Sequence, residues 1–221
     1  GPLTAENGFD NQADVVIEAR MAADLLGATP MDRPEDVETN PASGHVFVML
    51  TNNTRRKEAN PANPRKANAH GHILELVPPG AGPQLDHTAN RFQWDLFLLA
   101  GQPGTKDLET KYHEDISRDG WLSCPDNCAF DPQGRLWIAT DGAGKAAGIA
   151  DGVYACDTTG PARALTRQFF RGPVGAEICG PFFTPDGRTL FLSVQHPGED
   201  GGSTYEKPST RWPDFNPRMP P

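Results

Sequence analysis

Three copies of one short pattern recur along the chain, and they restrict its fold more than any other feature. Each copy consists of an acidic residue, a short apolar segment, a turn that ends in glycine and a second apolar segment. The acidic residues are Glu35, Asp126 and Glu177, which precede the turn glycine by nine, eight and ten residues. A repeated strand–turn–strand unit is typical of folds that place equivalent elements around an axis or along a stack.

Apolar segments around the three copies predict short antiparallel strands. The chain of 221 residues contains 23 glycines and 22 prolines, which mark frequent turns. Four strands per unit, with an acid at the equivalent place, favour a β-propeller over a sandwich. The predicted strands are 37–39, 46–51, 72–77 and 92–99 in the first unit, near 128–130, 135–140, 152–156 and 163–170 in the second, and near 178–183 and 189–195 in the third.

The predicted fold class is therefore all-β, a partial β-propeller of about two and a half four-stranded blades. Residues 15–26 (VVIEARMAADLL) add a short N-terminal helix that stops at Gly27. We assign residues 1–221 to a single domain. Two and a half blades cannot close a ring, and open strand edges promote aggregation. We therefore expect this domain to be a fragment of a larger propeller.

The charge and hydropathy of the chain exclude some functional classes. The net charge of −9 argues against nucleic acid and against an anionic membrane surface as partners. No run of 18 apolar residues occurs, so the sequence predicts no membrane-spanning helix. Residues 1–6 have neither the charged nor the apolar region of a signal peptide. The residues by themselves therefore predict no cellular location.

The three repeat acids predict a metal site. Equivalent positions of a propeller repeat converge on its axis, and three carboxylates placed there cannot all stay ionised without cations. Asp126 and Asn127 offer one charged and one amide oxygen, a donor set that suits calcium or magnesium better than zinc. Glu177 has apolar neighbours, where a cation would offset the unfavourable burial of its charge. The alternatives are an Asx-turn at Asp126–Asn127 and an ordinary surface glutamate at Glu177.

Arg33 stands two residues before Glu35 and is the candidate for contacting a substrate. On an extended segment, side chains two residues apart point to the same face. A fixed guanidinium beside a cation-binding acid would anchor a phosphate or carboxylate that bridges the metal. The alternative is an exposed Arg–Glu pair that contributes little.

Two further features have open interpretations. His196 closes the last strand of the third unit, where it could act on a substrate or a leaving group or could simply be a solvated loop histidine. Basic residues at 55–57 and 65–66 could attract a substrate or could be solvated surface. No serine nucleophile elbow, Walker loop or dinucleotide-binding fingerprint occurs.

The four cysteines do not match a zinc motif, because the first two are separated by three residues and no second pair follows at zinc spacing. We expect all four to be small buried packing residues. A disulfide or a metal-bound thiolate is the alternative. The four are Cys124, Cys128, Cys156 and Cys179.

Longer motifs resemble the PhoX family of bacterial alkaline phosphatases. The resemblance covers nearly the whole chain from about residue 10, and runs of this length are specific. It rests on residues 22–36 (AADLLGATPMDRPED), Asn63-Pro64-Arg65 before the strand at 71–73, Cys124-Pro125-Asp126-Asn127, residues 177–183 (EICGPFF) and Arg211-Trp212-Pro213.

The resemblance implies a six-bladed propeller with phosphomonoesterase activity, a central cluster of iron and calcium, and export to the periplasm or the extracellular space. Matched residue by residue, Glu35, Asp126 and Glu177 fall where the family places calcium-binding acids. Arg33 falls where it places a phosphate-contacting arginine. The iron ligands of the family, which include a cysteine, are expected upstream of this chain. None of the four cysteines is assigned that role.

The predicted function is release of phosphate from small phosphate monoesters, by a protein that is a monomer at full length. The predicted metal residues are Glu35, Asp126, Asn127 and Glu177, and the predicted catalytic residue is Arg33. Two alternatives stay open, a calcium-dependent propeller lactonase and a non-catalytic binding propeller stabilised by calcium. A lactonase needs similar axial acids but no phosphate-binding arginine.

Overall fold

The computed structural model describes residues 1–216 and 218, which divide into two compact units, one that ends at Met31 and one that begins at Asp32. The first unit is helical, with a 3-10 turn at Ala5–Asn7 followed by α1 (Gln12–Ile17) and α2 (Ala19–Leu25). The predicted N-terminal helix is thus confirmed, but it is divided in two.

The division of this helix has a backbone cause. Glu18 separates α1 from α2 with a φ of −98° and a ψ of 39°, outside the α-helical region. The start of α1 is fixed by a capping box. Asn11 Oδ1 accepts hydrogen bonds from the backbone N–H groups of Ala13 and Asp14, and the Asp14 carboxylate accepts from the Asn11 N–H.

The second compact unit, which begins at Asp32, contains three antiparallel sheets. In each sheet, strands that follow one another along the chain lie side by side. A short helix α3 (Ala143–Ala147) lies between the strands Leu136–Thr140 and Gly152–Cys156. The first sheet comprises β1 (Pro34–Thr39), β2 (Val46–Leu50), β3 (His72–Val77) and β4 (Gln93–Leu99). The second sheet comprises β5 (Pro125–Phe130), β6 (Leu136–Thr140), β7 (Gly152–Cys156) and β8 (Thr166–Arg171). The third sheet comprises β9 (Glu177–Phe183) and β10 (Leu190–Gln195).

The predicted division into four, four and two strands is confirmed, and the fold is mostly β. The structure differs at the starts of β1 and β5, which begin at Pro34 and Pro125, about three residues earlier than predicted. A proline is tolerated at the first position of a strand because its missing N–H is not needed there. As a result, Glu35 and Asp126 lie inside strands. The propeller arrangement and the single domain stay predictions.

A shared core holds the first two sheets together. The Phe47 ring of β2 packs edge-on against Phe97 of β4 at 5.0 Å and against Phe130 of β5 at 5.5 Å between centroids. The inner faces of both sheets are closed by fully buried aliphatic side chains. These include Met49, Ile73, Leu98, Leu122, Leu136 and Ile138.

A smaller cluster packs the third sheet against the second. Ile178 of β9 is fully buried beside Ala139 and Val153. The Trp137 ring lies between Phe169 and Phe183, at 4.9 and 5.1 Å. Strand β5 contacts both β1 and β9, so the first strands of the three sheets are neighbours. This neighbourhood brings the repeat acids toward one another.

The segment 52–69 is an irregular loop, as predicted, and it folds back on itself. Its ends are joined by a bridge between Asn53 and Asn68, and a second bridge joins Asn60 to Asn63. The return to β3 requires Gly71, since a Cβ atom there would lie 2.2 Å from the carbonyl oxygen of Thr51. No helix in the described part of the chain is long and apolar enough to cross a membrane.

Candidate active site

Two of the repeat acids lie at irregularities in strand pairing. The register of β1 against β2 shifts between Pro34 and Asp36, which leaves Glu35 unpaired. The register of β5 against β6 shifts between Pro125 and Cys128, a gap that contains Asp126. A β-bulge changes the direction of the side chain at the extra residue. The third acid, Glu177, pairs regularly with Gln195 at the start of β9.

Arg33 and Glu35 contact each other as predicted. The Arg33 Nε and Nη2 atoms donate to Glu35 Oε1 at 3.1 and 2.9 Å. The predicted reason was wrong, however, because Arg33 precedes β1 and has a φ of 51°, in the left-handed region. The Arg33 side chain is 49% exposed, so solvent or a ligand can reach it.

Asp126 is buried and links the first two sheets. Its Oδ1 accepts a hydrogen bond from the Thr51 hydroxyl at 3.0 Å. The backbone N–H of Thr51 donates to the Arg33 carbonyl at 3.1 Å. Thr51, at the end of β2, therefore bonds to both a predicted metal ligand and the backbone of the predicted catalytic residue.

The charges of the other two repeat acids act on Asp126. Burial raises the pKa of Asp126 to about 6, and repulsion from Asp141, Glu35 and Glu177 adds to this effect. The Thr51 hydrogen bond opposes the increase. A raised carboxyl pKa from combined burial and like charges is a feature of functional sites.

Glu177 lies at the edge of a cavity of about 470 Å³ that is also lined by Asp141, Lys145 and His196. Gln195 Nε2 donates to Glu177 Oε2 at 2.8 Å, and His196 Nε2 lies 3.6 Å from the same oxygen. Burial raises the pKa of Glu177, and Asp141 raises it further. The structure thus places His196 beside a predicted site residue.

Asn127 contributes to the joint between the second and third sheets. Its Oδ1 accepts a hydrogen bond from the Gly180 N–H at 3.1 Å. This hydrogen bond uses one of the two lone pairs on Asn127 Oδ1, the atom that would bind a metal in the predicted role. The role of Asn127 as a ligand stays a prediction.

Asp141 is the residue that sequence reasoning left without a role. It follows β6 directly, and its charge raises the pKa values of Asp126, Glu177 and Cys179. A signal for it exists in the repeat, since Asn52 and His196 also stand just after the second strand of their units. Thr51 was also missed, and no local pattern marks it.

The donor chemistry fits calcium as a partial ligand set. Carboxylate oxygens are the donors that calcium prefers, and a divalent cation would offset the repulsion around Asp126. Within residues 1–216 and 218, however, no three His, Cys, Asp or Glu side chains lie close enough together to hold a metal ion by themselves. The described acids therefore offer donors of the type that calcium prefers but do not form a complete metal site.

The cysteines lie in environments that favour the neutral thiol. All four are free thiols, three of them buried and Cys179 half-buried. Burial raises the pKa values of Cys124, Cys128 and Cys179, which favours the neutral thiol over the thiolate that binds metal. The prediction that the cysteines pack as small residues is confirmed for Cys124, Cys128 and Cys156.

The basic residues of the loop 52–69 have different environments. Arg56 turns inward and donates to Asp32 at 2.5 Å, whereas Lys66 pairs with Glu58 at the surface at 3.0 Å. Arg65 is half-buried, and burial lowers its pKa. Arg56 thus belongs to the interior of the fold, not to a substrate-attracting surface.

Comparison with known proteins identifies the family. The family model described as Alkaline phosphatase PhoX matches residues 2–198. A solved structure of Pseudomonas fluorescens PhoX in complex with vanadate, a transition state analogue, is 40% identical to this chain, with a TM-score of 0.76. The similarity covers 91% of this chain and 35% of that one, so this chain spans about a third of its neighbour's length. No curated protein sequence matches the chain. The chain belongs to the PhoX family of alkaline phosphatases.

Proposed function

We propose that the full-length protein is a metal-dependent phosphomonoesterase that releases phosphate from small phosphate monoesters. The observation that carries this proposal is the accessible Arg33, which donates to Glu35 at 2.9 Å where the charges of Glu35 and Glu177 raise the pKa of the buried Asp126. Family membership supports the reaction class. The vanadate complex of the P. fluorescens neighbour supports recognition of a phosphoryl-transfer transition state by this site type.

Arg33 is the proposed oxyanion-binding residue. Its guanidinium presents a planar set of N–H donors, which suits the oxygens of a phosphoryl group. Glu35 holds the Nε and Nη2 edge, which limits the rotation of the side chain and reduces the entropy lost on binding. Donors fixed in advance stabilise the charge that develops in the transition state.

Glu35, Asp126 and Glu177 are the proposed calcium-binding carboxylates of this chain, with Asn127 as a further oxygen donor. When bound, calcium and iron would neutralise the phosphate oxygens and lower the pKa of an attacking oxygen nucleophile. The iron ligands are proposed to lie outside this chain. His196, at 3.6 Å from Glu177, is within reach of a group bound in the adjoining cavity.

The three sheets are proposed to be consecutive blades of a six-bladed propeller. Adjacent first strands and the repeated acid at the start of each sheet support this arrangement. The proposed location is the periplasm or the extracellular space, and the proposed state is a monomer. Neither nucleic acid nor a membrane is a proposed partner.

The test is hydrolysis of a chromogenic phosphate monoester by the full-length protein, before chelation, after chelation and after calcium is restored. Activity that is lost and then recovered is the expected result. Hydrolysis of lactones without phosphatase activity would identify the lactonase alternative instead. Calcium binding without hydrolysis of either substrate, in iron-loaded protein, would identify a non-catalytic binding propeller.

A further inference from the structure

We propose that a buried network of Asp32, Arg56 and Asn68, here called the Asp32 brace, positions Arg33 for oxyanion binding. This inference rests on the proposed function, because it assigns a role to residues that act through the proposed catalytic arginine. None of the three is proposed to touch the substrate.

Both carboxylate oxygens of Asp32 have a partner. Arg56 Nε donates to Oδ1 at 2.5 Å, and Asn68 Nδ2 donates to Oδ2 at 3.1 Å. Asp32 is fully buried, and the Arg56 side chain is 10% exposed. A buried carboxylate in a charge-assisted pair holds its geometry tightly, because loss of either partner leaves an uncompensated charge inside the protein.

Asn68 connects the brace to β3 and to its own loop. Its Nδ2 lies 3.1 Å from His72 Nδ1, and its Oδ1 accepts from the Gly71 N–H at 3.1 Å. His72 Nε2 lies 2.8 Å from the Ala62 carbonyl, which can only accept. His72 therefore carries its proton on Nε2, and its Nδ1 accepts from Asn68. Burial lowers the pKa of His72, which favours this neutral form.

With these assignments, both N–H groups of the Asn68 side-chain amide have hydrogen-bond acceptors. One N–H of its Nδ2 points to Asp32 and the other to His72, while its backbone carbonyl accepts from the Asn53 N–H at 2.6 Å. The Ala67 N–H also donates to the Arg56 carbonyl at 2.9 Å. A polar network whose members are all satisfied is rigid and specifies one conformation.

The brace adjoins the strained backbone of Arg33. A φ of 51° is rare for a residue with a side chain, and such a conformation persists only where the surroundings hold it. The brace fixes the residue before Arg33, and the Thr51 N–H holds the Arg33 carbonyl. The direction of the Arg33 side chain therefore depends both on this backbone conformation and on the two hydrogen bonds to Glu35.

The role of the brace is therefore positioning. A change of a few degrees at the Arg33 backbone would displace the guanidinium at the end of its long side chain, and misplacement by about 1 Å can reduce catalysis a hundredfold. Calcium affinity should depend little on the brace, since the bonds given above join Asp32, Arg56 and Asn68 to one another, to His72 and to the Gly71 N–H.

The test uses the full-length, metal-loaded protein and four variants, Arg56→Ala, Arg33→Ala, the double variant and Arg56→Lys. We expect Arg56→Ala to lower kcat/KM and weaken inhibition by vanadate about tenfold, with calcium affinity measured by calorimetry unchanged. In the Arg33→Ala background, Arg56→Ala should change kcat/KM less than about twofold, because the residue through which it acts is gone.

The matched control is Arg167→Ala. Arg167 is also paired with an aspartate, Asp157, at 3.5 Å, but its side chain is 63% exposed. This variant should leave kcat/KM and vanadate inhibition unchanged, as expected for an exposed ion pair. Arg56→Lys, which keeps the charge, should recover part of the loss and serves if Arg56→Ala does not fold.

Equal effects of Arg56→Ala in the two backgrounds would overturn the proposal, as would a matching loss of calcium affinity. If the wild-type protein hydrolyses no phosphate ester, the proposed function fails, and vanadate binding measured by calorimetry then tests the brace separately. If Arg56→Ala binds vanadate as tightly as the wild type, the positioning role of the brace is excluded. If Arg56→Ala binds vanadate more weakly, that role is supported.

Discussion

The first and third sheets contain the same repeat unit but support their site residues differently. At the first sheet, Thr51 reaches across to Asp126 of the second sheet, and Asp36 accepts a hydrogen bond from the Cys128 N–H at 2.8 Å. At the third sheet, Glu177 is held by Gln195 and His196 from the adjacent strand or the residue after it. The repeated sequence pattern therefore sets the position of each acidic residue, whereas contacts between sheets determine how firmly its side chain is held.

Burial differs in the same direction. Phe47 of the first sheet is fully buried between two sheets, whereas Phe191 of the third sheet is 58% exposed. We therefore expect residues of the first two sheets to dominate both stability and site geometry. The following predictions test this contrast, beginning with the largest effect.

Phe47→Ala should lower the free energy of unfolding by about 3–5 kcal/mol, because it removes a ring packed against Phe97 and Phe130. Phe191→Ala should change it by less than about 0.5 kcal/mol. Urea unfolding followed by circular dichroism measures both variants. Equal losses in the free energy of unfolding for the two variants would contradict the expected difference between the first and third sheets.

Arg33→Ala in the full-length protein should lower phosphatase kcat/KM by roughly ten- to a thousandfold, since the variant loses a donor to the developing phosphoryl charge. His196→Ala, at the third sheet, should have a smaller effect, because His196 pairs with Glu177, which lies on the adjacent strand of the same sheet. Steady-state kinetics with one phosphate monoester compare the two. An unchanged kcat/KM for Arg33→Ala would exclude its proposed role.

Calcium affinity should fall as the pH falls through about 6. The pKa of Asp126 is raised to about 6, so below this pH the carboxyl is protonated and calcium must displace a proton. The expected decrease is about tenfold for each pH unit below 6. Calorimetric titrations at pH 5 and 7 measure it.

Asp126→Asn serves as the control for this pH dependence, since it cannot titrate and should bind calcium weakly at both pH values. Glu35→Gln should also weaken calcium binding while retaining the pH dependence from Asp126. Wild-type affinity that is the same at pH 5 and 7 would contradict the assignment of Asp126 as a ligand.

Thr51→Val should have a smaller effect than Phe47→Ala, a loss of about 1–2 kcal/mol in stability, because a buried carboxylate loses one hydrogen-bond donor. The same change should raise the pKa of Asp126 further, so the loss of calcium affinity begins at higher pH. Thr39→Val, at an exposed position of β1, is the matched control. A pH dependence identical to the wild type would show that Thr51 does not act on Asp126.

Much of the fold could be predicted because its signals are local. Turn glycines and alternating apolar residues predicted the strands and their grouping, whereas the metal site at Glu35, Asp126 and Glu177 stays a prediction. The starts of β1 and β5 were missed because proline usually interrupts a strand, and here it occupies the first position. Glu35 and Asp126 were therefore predicted to precede β1 and β5, but they lie inside these strands.

The sequence by itself determined the type and order of the elements and the identity of the repeated acids, because these depend on neighbours a few positions away. Only the tertiary structure decided how the site is supported. The partners of Asp32 are 24 and 36 positions away, and Thr51 is 75 positions from Asp126. Such contacts depend on the path of the loop 52–69 and on the packing of separate sheets, which no local pattern in the chain encodes.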